Sequence, residues 1–444
     1  MQSILFITYK TSPIKGIGSI RSSKFAKYLS KFGFNVFVIS TTNCFLAHKE
    51  DYIKNCESSI KFYRIPTIDY QTIKFIIFRL LNFFKRKKNK FYTIELKQKY
   101  FLYNLFNLFP LSIFLGEGGI LYIIISIFFG LFLIKKYKIK YIFSSYSPFS
   151  DHIIAWSLKI FNKKLIWIAD FRDLHIQKAH ELRFNSPFII KLNIIIDKFI
   201  LKNADAITVV SEGLKERLKE YHNEIYVLRN GFDPEEIIIK NVDEIKDFSF
   251  LYAGALYENR RDPTILLECL NNLITHKKIK KPDVKLYYAG RDNILFEKLC
   301  SKYNLTDVYY NFGFISRDKV LDLERKSYFL IMLTWASNEE KGIMTGKFYE
   351  YLGANRFIIC IVNGDRDKEL ERIFKMTNCG IVVYSNSDLS KKILTNFILN
   401  HYKKYKSGKF QTKYNWNVVN KFSYINLAYE MNKIYKKMEK NNSL

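Results

Sequence analysis

What this 444-residue sequence most plainly lacks is paired cysteine. Its six cysteines, Cys44, Cys56, Cys269, Cys300, Cys360 and Cys379, contain no C-x-x-C pair, which argues against a zinc ribbon or disulfide framework and fits a reducing compartment. Histidine is scarce too, at seven. The closest pair, His175 and His180, falls on different faces of a helix and lacks metalloprotease spacing. The N-terminal "MQSILFITYK" has no basic n-region, and its apolar run is too short for a signal peptide, so a cytoplasmic location is expected. Also missing are finger, RNP-type and helix-turn-helix patterns, which leaves charge alone to argue for nucleic acid. No nucleic-acid partner is expected.

Acid is in short supply: 42 Asp and Glu stand against 71 Lys and Arg, a formal charge of +29. The excess is uneven. Residues 61–140 hold fifteen Lys or Arg against Asp69, Glu95 and Glu117, and this is also the most apolar part of the chain. Basic and greasy together point to an anionic membrane surface, with the protein peripheral at the inner face of the plasma membrane. "TIKFIIFRLLNFFKRKK" reads as a helix with a basic end. "GGILYIIISIFFGLFLIKK" holds an uncharged run, Gly118 to Ile134, just short of the ~20 residues a span needs. It reads as a buried crossover or surface-lying helix sooner than a span.

Short apolar strands alternate with helical stretches throughout, which predicts parallel α/β sheets. "SILFITY", a helix stopped by Gly33, and "NVFVIS" form a βαβ unit; "YIFSSYS", "KLIWIAD" and "AITVVS" follow. After the polar linker "KNVDEIKD" the pattern restarts with "FSFLYAGAL", "VKLYYAG", "VYYNFGF", "YFLIMLTW", "FIICIVN" and "GIVVYS". Two Rossmann-like doubly wound domains are expected, over 1–236 and 243–404, with a last helix, 416–440, packing back on the first. Their strand ends would face each other across a cleft, so residues at carboxyl ends of strands are the candidates.

"GIMTGKFYEYLGANRFI" is foremost among them. It resembles a phosphate-binding loop but has the wrong glycine spacing, and Phe348 stands where a Ser or Thr should follow the lysine. A helix starting near Thr345 would instead aim its free N–H groups and dipole at an anion. Gly346 would let a diphosphate approach closely and Lys347 would add a full charge. Glu350, three residues on, shares the face of Lys347: either the two form a surface ion pair, or the carboxylate accepts from a ribose. Gly16 and Gly18 lie in the loop after the first strand, where a donor would approach, and Gly254 sits at another strand end. Asp170, Arg172 and Asp173 follow a strand: the guanidinium would hold phosphate and a carboxylate would orient an acceptor hydroxyl, or an Asp–Arg pair fixes the loop. Arg21 would meet an acceptor phosphate or stand exposed on its helix. Asp365 and Asp367 form no metal pair; they read as caps of the next helix. No metal or cofactor is expected.

The segment "GKFYEYLGANRFIICI" resembles the K-x-x-E-Y-L donor-binding segment of glycosyltransferase family 4, the retaining nucleotide-sugar glycosyltransferases of the GT-B fold. "IGSIRSSKFAKYLSKFGFNVFVIS", "WIADFRDLH", "ADAITVVSEGLKERL…VLRNGFDPE", "FLYAGAL" and "YYNFGFISRDKVLDLERKSYFLIML" are similar to its other segments, in the family's order, over nearly the whole chain. The resemblance implies a GT-B fold, a nucleotide-diphosphate sugar donor, ribose binding at Glu350, and Arg260 and Arg261 near the diphosphate. It also implies transfer with retention to a saccharide or polyprenyl-diphosphate-linked acceptor. One departure stands out: the family's first glutamate, eight positions before Glu350, is here Gly342. That keeps a sugar-nucleotide epimerase and a catalytically silent nucleotide-sugar-binding protein as alternatives.

Overall fold

In a computed structural model, the described residues are 2–14, 16–42, 59–69, 72–73, 111–114, 116–146, 148–172, 187–236, 247–256, 260–337 and 344–442. They divide into two compact units. The first comprises Met1–Arg229 and Leu427–Leu444, the second Asn230–Asn426. Most of the helix expected over 72–88, together with the polar linker, His175, His180 and Gly342, lies outside the described residues.

Unit one is built on β1 (Ser3–Ile7), β2 (Asn35–Thr41), β3 (Ile60–Ile65), β4 (Tyr141–Ser145), β5 (Ile166–Phe171), β6 (Ala206–Val209) and β7 (Ile225–Val227). They pair all in parallel in the order β3-β2-β1-β4-β5-β6-β7. The order reverses between β1 and β4, and such a switch point opens a ligand crevice beyond the strands' carboxyl ends. Its helices are α1 (Ile17–Lys31), α2 (Gly119–Tyr137), α3 (Ser150–Phe161), α4 (Pro187–Asn203) and α5 (Glu212–Leu218). The central strands β1, β4 and β5 are buried on both faces, as a helix-covered parallel sheet requires.

The apolar stretch expected as a crossover or surface-lying helix is α2. By length and composition this 19-residue helix is long and apolar enough to cross a membrane. One side packs into the unit's core through Tyr122, Ile123, Leu133 and Ile134, and Gly130 lets Leu158 of α3 approach, since a Cβ there would fall 2.9 Å from Leu158 Cδ1. The opposite side exposes Ile120, Ile124, Phe128 and Phe132, four residues apart each time and therefore one row, with Phe128 71% exposed.

Unit two carries β8 (Phe248–Ala253), β9 (Val284–Ala289), β10 (Tyr309–Asn311), β11 (Phe329–Ala336), β12 (Phe357–Gly364) and β13 (Gly380–Tyr384), parallel in the order β10-β9-β8-β11-β12-β13. Here the order reverses between β8 and β11. The flanking helices are α6 (Thr264–Thr275), α7 (Asn293–Lys302), α8 (Arg317–Lys326), α9 (Gly346–Ala354), α10 (Lys368–Thr377) and α11 (Asp388–Lys406). Local signals act as the residues suggest. Asp262 accepts the Thr264 N–H at 2.9 Å, and Asp367 caps α10 by accepting from Leu370 N at 3.0 Å. The last long helix, α12 (Tyr424–Asn441), belongs to unit one from Leu427 onward, where Tyr435 donates to the Ile142 carbonyl at 2.8 Å and its ring packs on Tyr141.

Candidate functional site

Chemistry-bearing side chains gather at the carboxyl end of each sheet, and the two groups differ in kind. In unit two, α9 starts as its residues dictate. Thr345 is the N-cap with extended backbone, and its carbonyl accepts the Phe348 N–H at 3.0 Å. Phe348, Tyr349, Tyr351 and Leu352 turn inward, and Asn355 in the left-handed conformation ends the helix. Gly346 is its first residue, and Lys347 and Glu350 lie on the face turned towards α8.

These two do pair, with Lys347 Nζ 2.9 Å from Glu350 Oε2. The arrangement is larger than an i, i+3 pair. Arg317, first residue of α8, donates to Glu350 Oε1 and to Glu236 Oε2 at 3.2 Å. Glu324, two turns along α8, is fully buried, with Oε1 3.5 Å from Lys347 Nζ. Burial works to raise the Glu350 carboxyl, but Lys347 and Arg317 together overcome it and hold it near 2. Glu324 goes the other way: burial outweighs Lys347 and pushes its carboxyl up to about 7. Lys347 keeps a third of its side-chain surface exposed, and its ammonium is held charged, the Glu350 and Glu324 carboxylates outweighing burial.

Across the switch point the loop after β8 is pinned at several places. The Gly254 carbonyl accepts from Tyr288 OH at 3.0 Å, and Leu256 N donates to Asp292 Oδ2 at 2.7 Å. A Cβ on Gly290 would fall 2.3 Å from the Gly254 carbonyl, so the close contact of the two loops requires glycine there. Arg260 and Arg261 both lie over Trp335, near the end of β11, each guanidinium 5.6 Å from the ring centroid. Arg261 also donates to the Ala255 carbonyl at 3.3 Å. Gly254, Arg260, Arg261, Gly346, Lys347 and Glu350 thus all stand at the carboxyl end of one sheet. Sequence reasoning did not single out Arg317, Glu324, Glu236 or Trp335. Arg317 obeys the same strand-end rule as the others, following β10. Glu324 sits three residues after buried Leu321, on the helix face that should be apolar.

In unit one the expectations for Arg21 and Asp170 need correction. Both are fully buried. Arg21 Nε and Nη2 grip Asp170 at 3.0 and 2.6 Å, and the guanidinium also donates to the Leu228 and Arg229 carbonyls at 2.7 Å each. The register sets Ser145 and Thr208 beside Asp170 on the flanking strands, where their hydroxyls donate to it at 2.9 and 2.8 Å. Burial would raise the Asp170 carboxyl, yet Arg21, the Thr208 hydroxyl and nearby Arg172 keep it below its ordinary value. With every polar atom occupied and no surface exposed, the pair clamps α1 to the sheet and has nothing to offer an acceptor.

Arg172 stays at the rim, half-buried, with Nε donating to the Tyr146 carbonyl at 2.6 Å. Its guanidinium lies on Gly18, where a Cβ would fall 2.1 Å from Nη1. Gly18 therefore makes room for an arginine. Gly16 keeps open space around its Cα, with φ of 153°. Asp173 lies outside the described residues. Beside Arg172 stands a buried carboxylate that sequence reasoning missed: Asp151 accepts from Tyr9 N at 2.8 Å and Tyr122 OH at 3.2 Å. Burial pushes it up to about 8 although those partners favour its charged form. Among the described residues no group of three or more His, Cys, Asp or Glu is arranged to hold a metal ion.

No protein-family model matches the chain, and no curated protein matches it. Solved structures do. Sucrose-phosphate synthase from Thermosynechococcus elongatus superposes with a TM-score of 0.60 at 14% identity over 99% of both chains. The catalytic domain of starch synthase IV from Arabidopsis thaliana, bound to ADP and acarbose, gives 0.53 at 11% over 99% of both. A protein assigned as a UDP-N-acetylglucosamine 2-epimerase from Listeria monocytogenes gives 0.53 at 11%, over 99% of this chain and 97% of that one. Identities this low speak for the fold, and the fold they speak for is GT-B: two doubly wound parallel-sheet α/β domains.

Proposed function

We propose that the protein is a glycosyltransferase of the family 4 type, moving a sugar from a nucleoside-diphosphate donor to a hydroxyl with retention of configuration. The observation that carries this is the start of α9, where Lys347 and Glu350 stand beside Arg317 at the carboxyl end of the second sheet. The helix N-terminus and Lys347 take the diphosphate. Arg260 and Arg261, steadied on Trp335, add charge as the leaving group departs. Glu350 accepts from the ribose hydroxyls. The acceptor hydroxyl passes its proton to the departing diphosphate, so transfer needs no metal bound by the chain.

The acceptor is a saccharide, and a lipid-linked one if the exposed Ile120–Phe132 row of α2, with Lys135 and Lys136 beyond it, lies on an anionic membrane. Sedimentation with anionic liposomes tests this part: Phe128→Asp is expected to reduce binding severalfold, and wild-type binding indifferent to anionic lipid and salt contradicts it. For transfer itself, the test is release of nucleoside diphosphate coupled to acceptor, with the product anomer read by NMR. An epimerase reading is favoured by the Listeria structure; it requires sugar inversion within the intact nucleotide sugar and no coupled release.

A further inference from the structure

Glu324 has no place in the scheme above, and its surroundings are unusual for a carboxylate. It is 0% exposed on the inner face of α8, and among the described residues neither of its oxygens has a hydrogen-bond partner. A buried acid left this way costs free energy that folds normally avoid. The groups facing it are few. Lys347, Glu350 and Tyr351 face it from α9 and Arg317 from the first turn of α8, while Tyr252 of β8 acts on Tyr351. Glu236 joins the cluster through Arg317. Lys347 and Arg317 are balanced by Glu350 and Glu236, so Glu324 is the fifth group, and its proton decides whether the set is neutral or carries an extra negative charge.

Resting on the proposed role of Lys347, we propose that Glu324 is a proton-linked positioning residue: ionised, it competes for the Lys347 ammonium, and protonated, it releases that ammonium to the donor's diphosphate. Two carboxylates contend for one ammonium, Glu350 at 2.9 Å and Glu324 at 3.5 Å. A diphosphate at the start of α9 adds negative charge to this set and makes an ionised Glu324 costlier. Binding therefore takes up a proton from solvent onto Glu324, and by reciprocity a lower pH tightens binding. The elevated carboxyl, near 7, puts this exchange in the ordinary working range.

The test is calorimetric titration of full-length protein with UDP, ADP and GDP between pH 6 and 8.5, in buffers of differing ionisation enthalpy, for wild type and Glu324→Gln. For whichever nucleotide binds, wild-type affinity is expected to fall about tenfold per pH unit above 7, with proton uptake on binding. Glu324→Gln should keep a flatter affinity and lose that uptake. The nucleotide's own last phosphate proton, which titrates near 6, acts equally on both proteins, so their difference is the readout. Equal pH slopes in the two proteins overturn the inference while leaving the nucleotide site standing; failure of all three nucleotides to bind wild type removes both. Should Glu324→Gln fail to fold, wild-type uptake at pH 7.5 decides alone, and its absence is a refutation.

Discussion

Two basic–acidic pairs at strand ends, Arg21 with Asp170 and Lys347 with Glu350, look alike on paper and differ in the molecule. The first is sealed, with both partners fully buried and each carboxylate oxygen doubly satisfied. The second is open at Lys347 and crowded with carboxylates around it. A sealed pair with every lone pair used can only hold structure. An accessible pair that stands next to a second cation and a second acid can exchange partners, which is what a ligand site needs.

The sharpest way to break this contrast is to cut the sealed pair. Arg21→Met leaves Asp170 charged and buried, and is expected to cost about 3–5 kcal/mol of stability in denaturant titration. If such a variant kept its stability but lost acceptor turnover, the contrast between the pairs would collapse. Cutting the open pair should do the reverse. Lys347→Ala should weaken nucleoside-diphosphate binding by roughly 10- to 100-fold, the worth of a charge-assisted contact of about 1.5–3 kcal/mol, with a smaller loss of stability.

A gentler probe is pH. Asp151 has its folded value raised to about 8, so the folded state holds a proton that the unfolded chain gives up near the ordinary carboxylate range. Stability is therefore fullest below that range and falls as pH rises towards 8, by at most about 1.4 kcal/mol per unit. Asp151→Asn should flatten this slope in melting curves. Glu350, held near 2, acts oppositely: its stabilisation is present at neutral pH and fades on acidification below the ordinary range. The smallest effect is expected at Trp335→Leu. Losing the ring under Arg260 and Arg261 should weaken donor binding only severalfold, since exposed cation–π contacts contribute about 0.5–1 kcal/mol.

Much of the fold was legible because period and punctuation agree. Strand β5 is visible as "KLIWIAD" and β12 as "FIICIVN", each to within a few residues. Strands β3 and β7 leave no such mark: "IKFYRI" carries two cations and "IYV" is three residues long, too little pattern for either. At the site, Lys347, Glu350, Arg260 and Arg261 were visible because a strand-end rule applies to them one by one. What hid Arg317 and Glu324 is that their significance is relational. A helix arginine and a helix glutamate look ordinary until α8 is laid against α9, and Arg21 looked like a ligand contact until the register put Asp170, Ser145 and Thr208 around it.

The central claim, a nucleoside diphosphate held at the start of α9, meets its most direct test in isothermal titration of wild type and Lys347→Ala with UDP, ADP and GDP at pH 6.5. The account predicts that at least one of these binds wild type and is weakened at least tenfold by the substitution. Equal affinity in the two proteins would contradict it.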